Sequence, residues 1–181
     1  LVDSVIGRMD INGRTHYSHK SSSPGHKLVL DVYNTVEFND AETDVVRLGK
    51  GARLELSEDR LGVDREIKIY GKDGIIQRRY KVDGDEQPLD AEGRAWLANT
   101  LPRLMRETGV NAEARSEHIL AKGGVPALLD EIAQIQSDST RATYLGLLFS
   151  KAQLDDAQLQ RALQLATDIN SDFELRRALQ E

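Results

Sequence analysis

Two stretches of sequence, Ile135-Gln136-Ser137-Asp138 and Ile169-Asn170-Ser171-Asp172, decide the fold of the C-terminal half, because they match at an offset of 34 residues. Each stands at the head of an amphipathic segment. The same offset pairs leucines with leucines, namely Leu129 with Leu163 and Leu145 with Leu179. A fixed period of this length is typical of stacked helix pairs, in which one unit cannot bury its apolar face alone. The pattern therefore predicts a small helical array, an architecture that more often offers a binding surface than an active site.

Helical spacing of the apolar residues begins after Pro88 and predicts helices at about 90–109, 111–122, 125–134, 137–150, 155–167 and 171–180. Pro102 is expected to kink the first of these, because proline removes one backbone donor. Ser171-Asp172-Phe173-Glu174 matches the capping box, and Asp155-Asp156-Ala157-Gln158 is a looser version of it. The repeated Ser-Asp pair could suggest a catalytic or metal site, but helix capping by serine and the helix dipole explain it better.

Between Lys27 and Val82 the apolar residues recur at every second position instead, which is typical of strands with one buried face. Six such runs occur, around Leu28/Leu30/Val32, Val36/Phe38, Val46/Leu48, Ala52/Leu54/Leu56, Ile67/Ile69 and Tyr80/Val82. They are separated by turn sequences, at Asn39-Asp40, 49–51, 71–74 and 83–85. The spacing predicts an antiparallel meander.

Together these patterns predict an α+β fold, with an antiparallel β-meander region at 27–88 followed by a C-terminal array of short helical hairpins at 89–181. Residues 1–26 are predicted to be an N-terminal arm or linker, or else an extra edge hairpin that turns at 10–14. Because Ser21-Ser22-Ser23-Pro24-Gly25 resembles a linker, no regular structure is predicted for 15–26. Trp96, the single tryptophan, is expected to fill the seam between sheet and helices.

The composition argues against several kinds of protein. Hydrophobic residues make up 39% and charged residues 30% of the 181 residues, which suits a packed globular core. The net charge is −6, with 16 acidic against 14 basic residues in 1–89 and 14 against 10 in 90–181. Neither half therefore has the basic surface that nucleic-acid binding requires. The absence of cysteine excludes disulfides, thiolate ligands and cysteine nucleophiles.

The first residue and the apolar runs of the sequence indicate where in the cell the protein is expected. It begins with Leu1 rather than Met, which suggests a processed or excised fragment, with room for a signal peptide or membrane segment upstream. No run of about 18 apolar residues occurs in the sequence, so no membrane span is predicted within it.

Three histidines, His16, His19 and His26, are the best candidates for a metal site, because His-x-x-His can place two imidazoles on one ion. The stretch lacks a second pair of ligands, and a solvated linker explains it better. The acidic stretches 40–44 and 83–86 faintly resemble calcium loops, but they lack the fixed alternation of oxygen ligands and are better explained as turns. No catalytic, cofactor-binding or metal-binding residue is therefore predicted.

The chain resembles a group of uncharacterised bacterial proteins that are secreted or anchored to the membrane. The resemblance covers about residues 28–181 and is strongest after the predicted sheet. It rests on Val36-Glu37-Phe38-Asn39-Asp40, Thr43-Asp44, Gly49, Asp73-Gly74, Tyr80-Lys81-Val82-Asp83-Gly84, Glu92-Gly93-Arg94-Ala95-Trp96-Leu97, Leu101-Pro102, Ser137-Asp138 and Ser171-Asp172-Phe173-Glu174-Leu175. Members have a β-rich region followed by short helical repeats with Ser-Asp heads, and some are attached to BlaR-type membrane metallopeptidase or anti-sigma-factor-like modules. The resemblance implies an extracytoplasmic domain, periplasmic or membrane-anchored, and brings no catalytic residues with it.

The predicted function is a non-catalytic interaction or sensing module that binds another protein and no nucleic acid. Self-association through an uncovered sheet edge is a further possibility, because edge strands expose unpaired backbone groups. The alternative is a metal-dependent protein or enzyme with a dispersed site, in which His16, His19 and His26 are the candidate ligands.

Overall fold

The structure is a computed structural model that describes residues 3–11 and 14–179, with side chains described for 15–179. The chain divides into two compact units, Leu1–Pro102 and Arg103–Glu181, and each is described by itself below. The first contains the sheet and the second most of the helices, so the predicted α+β fold is confirmed.

Nine strands lie in the described part of the first unit. They are β1 (Asp3–Ile11), β2 (Arg14–Ser23), β3 (His26–Tyr33), β4 (Val36–Phe38), β5 (Val45–Leu48), β6 (Arg53–Arg60), β7 (Val63–Lys72), β8 (Ile75–Val82) and β9 (Asp85–Gln87). Seven of them form one antiparallel sheet in the order β1-β2-β3-β6-β7-β8-β9. The meander prediction needs one correction, because β4 and β5 leave this sheet and pair with each other, so that β3 pairs directly with β6.

The N-terminal stretch extends the sheet. No regular structure was predicted for residues 15–26, but most of them form β2, which is hydrogen-bonded to β1 on one side and β3 on the other, in agreement with the alternative of an extra edge hairpin. Two neighbours satisfy its backbone groups, so its serine-rich sequence is no obstacle. The linker-like end of this stretch is the end of β2 and a two-residue turn at Pro24-Gly25. The turn predicted at 10–14 centres on Asn12 and Gly13, which lie outside the described residues.

The hairpins are tight because the sequence supplies residues that accept positive φ. Asp73 and Gly74 connect β7 to β8 with φ values of 53° and 77°. A two-residue turn with both φ positive matches the right-handed twist of the flanking strands. Asp83-Gly84 and Leu61-Gly62 form turns with the same pair of positive φ values. The Asp83-Gly84 turn connects β8 to β9, a strand that the sequence pattern did not predict.

The sheet has one apolar and one polar face, as the period-two pattern predicts. The buried residues of the apolar face include Leu28, Leu30, Val32, Leu54, Leu56, Ile67, Ile69 and Tyr80. Leu97 and Leu101, from the helix that follows the sheet, are also buried in this unit. Full burial of such side chains contributes roughly 1.5–3 kcal/mol each.

Five helices follow in the described residues, α1 (Ala91–Thr108), α2 (Ala112–Gln134), α3 (Asp138–Lys151), α4 (Asp156–Thr167) and α5 (Asp172–Leu179). α1 runs through Pro102, where the division between the two units falls. The separate helices predicted at 111–122 and 125–134 are the two parts of α2, which breaks at Gly124 with φ 65° and ψ −165°. The predicted end of the last helix, at residue 180, lies outside the described residues.

The second unit is a stack of two helix pairs. α2 contacts α3 and α4, and α3 contacts α5, so that like helices of successive repeats are neighbours. Its core is aliphatic apart from Tyr144, which is fully buried. Among the described helices, none combines the length and the apolar character needed to span a bilayer.

Candidate interaction surfaces

The three histidines of the predicted metal site lie apart. His16 and His19 point to opposite faces of the sheet, because they are three residues apart on β2. His19 is opposite Leu30 on β3, whereas His26 lies four residues from Leu30, about 13 Å along the strand. Within the described residues, no three histidine, aspartate or glutamate side chains form a group that could hold a metal ion.

Two of these histidines instead have carboxylate partners. His16 Nε2 lies 2.8 Å from Asp31 Oδ1, and its ring stacks on Tyr33 with 4.1 Å between the ring centres. His26 Nε2 lies 2.8 Å from Glu58 Oε1. Each interaction links neighbouring strands, so both histidines have a structural explanation.

Glu58 is the centre of a buried polar cluster that the sequence reasoning missed. Its side chain is 4% exposed, and its second oxygen accepts a hydrogen bond of 2.7 Å from Trp96 Nε1. The Trp96 ring also packs 5.8 Å from the ring of Tyr80. Trp96 is thus half-buried where the start of α1 meets the sheet of its own unit. A signal was present, because Glu58 continues the inward-facing series Leu54, Leu56 on β6.

The polar face of the sheet has a shallow groove of about 330 Å³. One row of paired residues across β3, β6, β7 and β8 reads Asp31, Glu55, Lys68 and Arg79. Lys68 Nζ lies 2.7 Å from Glu55 Oε1, and this hydrogen bond lowers the pKa of Glu55 against the opposing effect of burial. The charges in the row are paired with each other or with neighbours, as expected of a solvated sheet face.

A second ionic cluster lies in the helical unit. Glu131 accepts hydrogen bonds from Arg106 Nε at 2.6 Å and from Arg115 Nη1 at 2.9 Å. Arg115 is 6% exposed and also donates to Tyr144 Oη at 3.1 Å. Burial raises the pKa of Glu131, but the two guanidinium groups outweigh it and hold this pKa below its ordinary value. The cluster joins α1, α2 and α3 and has no free reactive group.

The predicted helix caps are confirmed. Ser137 Oγ accepts from the amide of Thr140 at 3.3 Å, and Ser171 Oγ accepts from the amide of Glu174 at 3.4 Å. The looser box at Asp155 is complete, with both reciprocal bonds to Gln158. The box predicted at Ser171 is only half made, because the Ser171 amide donates to another residue.

That residue is Asp138, which links the two repeats. Its Oδ2 accepts hydrogen bonds from the backbone amides of Asn170 and Ser171, each at 3.0 Å. Asp172 is its equivalent one repeat later and is exposed, with no hydrogen-bond partner within the described part of the chain. The first repeat thus makes a contact through Asp138 that its equivalent in the second repeat, Asp172, does not make within the described residues.

The apolar residues show the same asymmetry. Leu129 and Leu145 are 1% and 0% exposed, whereas their equivalents Leu163 and Leu179 are 45% and 50% exposed. Three large apolar side chains of α4 and α5 are exposed although their equivalents in the first repeat are buried or half-buried, and we call them the open array face: Leu159, Leu163 and Leu179. A trough of about 370 Å³ runs along its α4 side and is lined by Asp156, Leu159, Gln160, Leu163, Gln164 and Thr167.

Comparison with family models, curated proteins and solved structures finds no match for this chain. The similarity to secreted or membrane-anchored bacterial proteins therefore stays an expectation from the sequence.

Proposed function

We propose that the protein is a non-catalytic interaction module that binds another protein through the open array face. One observation supports the proposal most. Leu163 and Leu179 are exposed, although the equivalent leucines of the first repeat are buried by the second. A repeat face that stays in water is normally polar. Exposed apolar groups that lie close together are typical of interaction sites, and Leu159 and Leu163 line the same trough on α4.

The polar clusters support a non-catalytic function. Both oxygens of Glu58 accept hydrogen bonds from His26 and Trp96, and Glu131 is held between two arginines. A general base or nucleophile must reach a substrate, whereas these carboxylates are engaged inside the fold. The proposed setting is the bacterial periplasm or membrane surface, and its support is the sequence resemblance.

The binding proposal is tested with immobilised protein of residues 1–181 and a bacterial envelope extract. Wild type is compared with a double variant, Leu159→Gln with Leu163→Gln, and with Ala157→Gln as the matched control. Ala157 is exposed on the same helix but on another side of it, since successive residues turn by about 100°. We expect a protein that wild type and control retain and the double variant retains at least tenfold less. Identical retention by all three would refute binding through this face.

The proposed cellular location and the metal-dependent alternative are each tested by a separate measurement. We expect the native protein in the periplasmic or membrane fraction of fractionated cells, and recovery in the cytoplasm would contradict the proposed setting. We expect untagged protein to hold well under one equivalent of zinc. A stoichiometric metal that is lost when His16, His19 and His26 are replaced would favour the metal-dependent alternative.

Self-association through the sheet edge is a second proposal. β1 is a nine-residue strand that pairs only with β2 in the described structure, whereas the opposite edge is the three-residue β9. A long unpaired edge is a template for another strand. We expect a concentration-dependent dimer by analytical ultracentrifugation that a proline at Gly7 abolishes, and a monomer at all concentrations would refute this contact.

A further inference from the structure

The contact between the two repeats indicates which kind of element fits the open array face. Leu129 and Leu145 of the first repeat share one core with Ala162, Ala166 and Ala178 of the second. The buried residues of α4 and α5 are all alanines, so these two helices contribute small side chains to a core that contains the large leucines of α2 and α3. The open array face presents the large side of this arrangement again, at Leu163 and Leu179.

Asp138 adds a polar restraint to the same contact. It binds the two loop amides that precede α5, and so fixes where the second repeat begins on the first. Asp172 stands at the equivalent position beside the open array face and has no hydrogen-bond partner within residues 15–179. Leu163, Leu179 and Asp172 thus recur together, one period of 34 residues after Leu129, Leu145 and Asp138, which bind the helical hairpin of the second repeat.

We propose that the open array face binds a helical hairpin of the partner protein. The hairpin presents alanine-sized residues to Leu163 and Leu179, and its loop donates two backbone amides to Asp172. This inference rests on the proposed function and gives the partner its chemistry. A second copy of the chain does not fit, because its own small-residue surface, at Ala162, Ala166 and Ala178, is already buried.

The probe is a hairpin already known to fit a surface of this kind, the second repeat itself. A second copy of residues 148–181 is fused directly after Glu181, which continues the 34-residue period. Hydrogen exchange of the original α4 and α5 is then compared with that of the unfused chain. We expect at least tenfold slower exchange at 159–167 and 172–179 in the fusion, and a helical circular dichroism signal that grows with the added length.

Two control fusions separate docking from a mere increase in length. In the first, the copied alanines carry the changes Ala162→Glu, Ala166→Glu and Ala178→Glu, and we expect the added protection to disappear. In the second, Asp172→Ala in the original repeat should remove about tenfold of the protection while the copy stays helical. A wild-type copy that gives no protection, or equal protection from the glutamate copy, would overturn the proposal.

The failures of the inference and of the proposed function are distinguishable. If the fused hairpin docks but no envelope protein depends on Leu159 and Leu163, the surface accepts a hairpin and the proposed function fails. If a captured protein depends on those leucines but the fused copy does not dock, the function holds and the hairpin inference fails. A dimer of the unfused chain that protects the same residues would overturn the hairpin in favour of a second copy.

Discussion

Replacement of Asp138 by alanine, compared with the same change at Asp172, isolates the contact that joins the repeats. Asp138 accepts two backbone amide bonds from the other repeat at 3.0 Å, whereas Asp172 accepts none within the described residues. Both residues lie in the first turn of a helix, so both lose the same interaction with the helix dipole. The difference between the two variants therefore measures the inter-repeat bonds alone.

The magnitude follows from the geometry. Hydrogen bonds to a charged group contribute about 1.5–3 kcal/mol each, but here one oxygen of the half-buried Asp138 accepts both bonds, so we expect about 2 kcal/mol for the pair. The dipole contributes about 0.5 kcal/mol in either variant. About 2 kcal/mol corresponds to roughly a 30-fold change in an equilibrium constant. Asp138→Ala should thus open α5 far more often than Asp172→Ala does.

Native-state hydrogen exchange of α5 is the appropriate assay, because it reports local opening of one element. We expect roughly 30-fold faster exchange at 172–179 in Asp138→Ala and no more than about threefold in Asp172→Ala. Asp138→Asn, which keeps a neutral acceptor, should fall between them. Equal effects of the two alanine variants would refute the assignment of Asp138 as an inter-repeat link.

Three further predictions concern stability. Glu58→Leu should cost about 1–3 kcal/mol, because the half-buried indole N–H of Trp96 loses its acceptor, and urea unfolding followed by tryptophan fluorescence measures it; an unchanged midpoint would contradict this. Gly93→Ala should cost about 1–3 kcal/mol in the same assay despite alanine's helix propensity, because the added Cβ would lie 2.9 Å from Tyr80 Cε1; a gain in stability would show that the ring moves freely. The pKa of Glu131 is lowered by folding, so its contribution is complete above the ordinary value of 4.5 and is lost as pH falls through the folded pKa. Helix unfolding followed by circular dichroism should show Glu131→Gln to be less acid-sensitive in this window, and parallel pH profiles would refute the assignment.

The sequence predicted most strands and helices because their signals are local. Alternation such as Leu54, Leu56 places a strand, and Ser137 or Ser171 places the start of a helix. The departure of β4 and β5 from the main sheet was not predictable in this way, because it depends on β3 pairing with β6 across a gap of about twenty residues. β2 was missed because its residues are mostly polar, and only its two neighbours make it a strand.

The candidate site was less predictable, since exposure is a property of the assembled fold. Leu163 repeats Leu129 in the sequence, and the period alone suggests the same burial for both. The structure instead gives 45% and 1% exposure. Glu58 was predictable in principle, because a carboxylate in an inward-facing series must find partners. Which partners it finds, His26 and Trp96, depends on packing between segments distant in sequence.

The two residues of the repeated Ser-Asp pair have different functions, although the sequence pattern alone suggests helix capping for both. Serine caps its own helix, so Ser137 and Ser171 make the same local bond in both repeats. Aspartate acts between repeats, so Asp138 makes its bonds only because the second repeat supplies two amides. A residue kept solely to start a helix would be satisfied by its own helix. Asp172 recurs together with Leu163 and Leu179, so the second repeat has at its surface the same residues with which the first repeat binds its neighbour. This joint recurrence is the reason to expect a helical hairpin rather than an unspecific apolar patch.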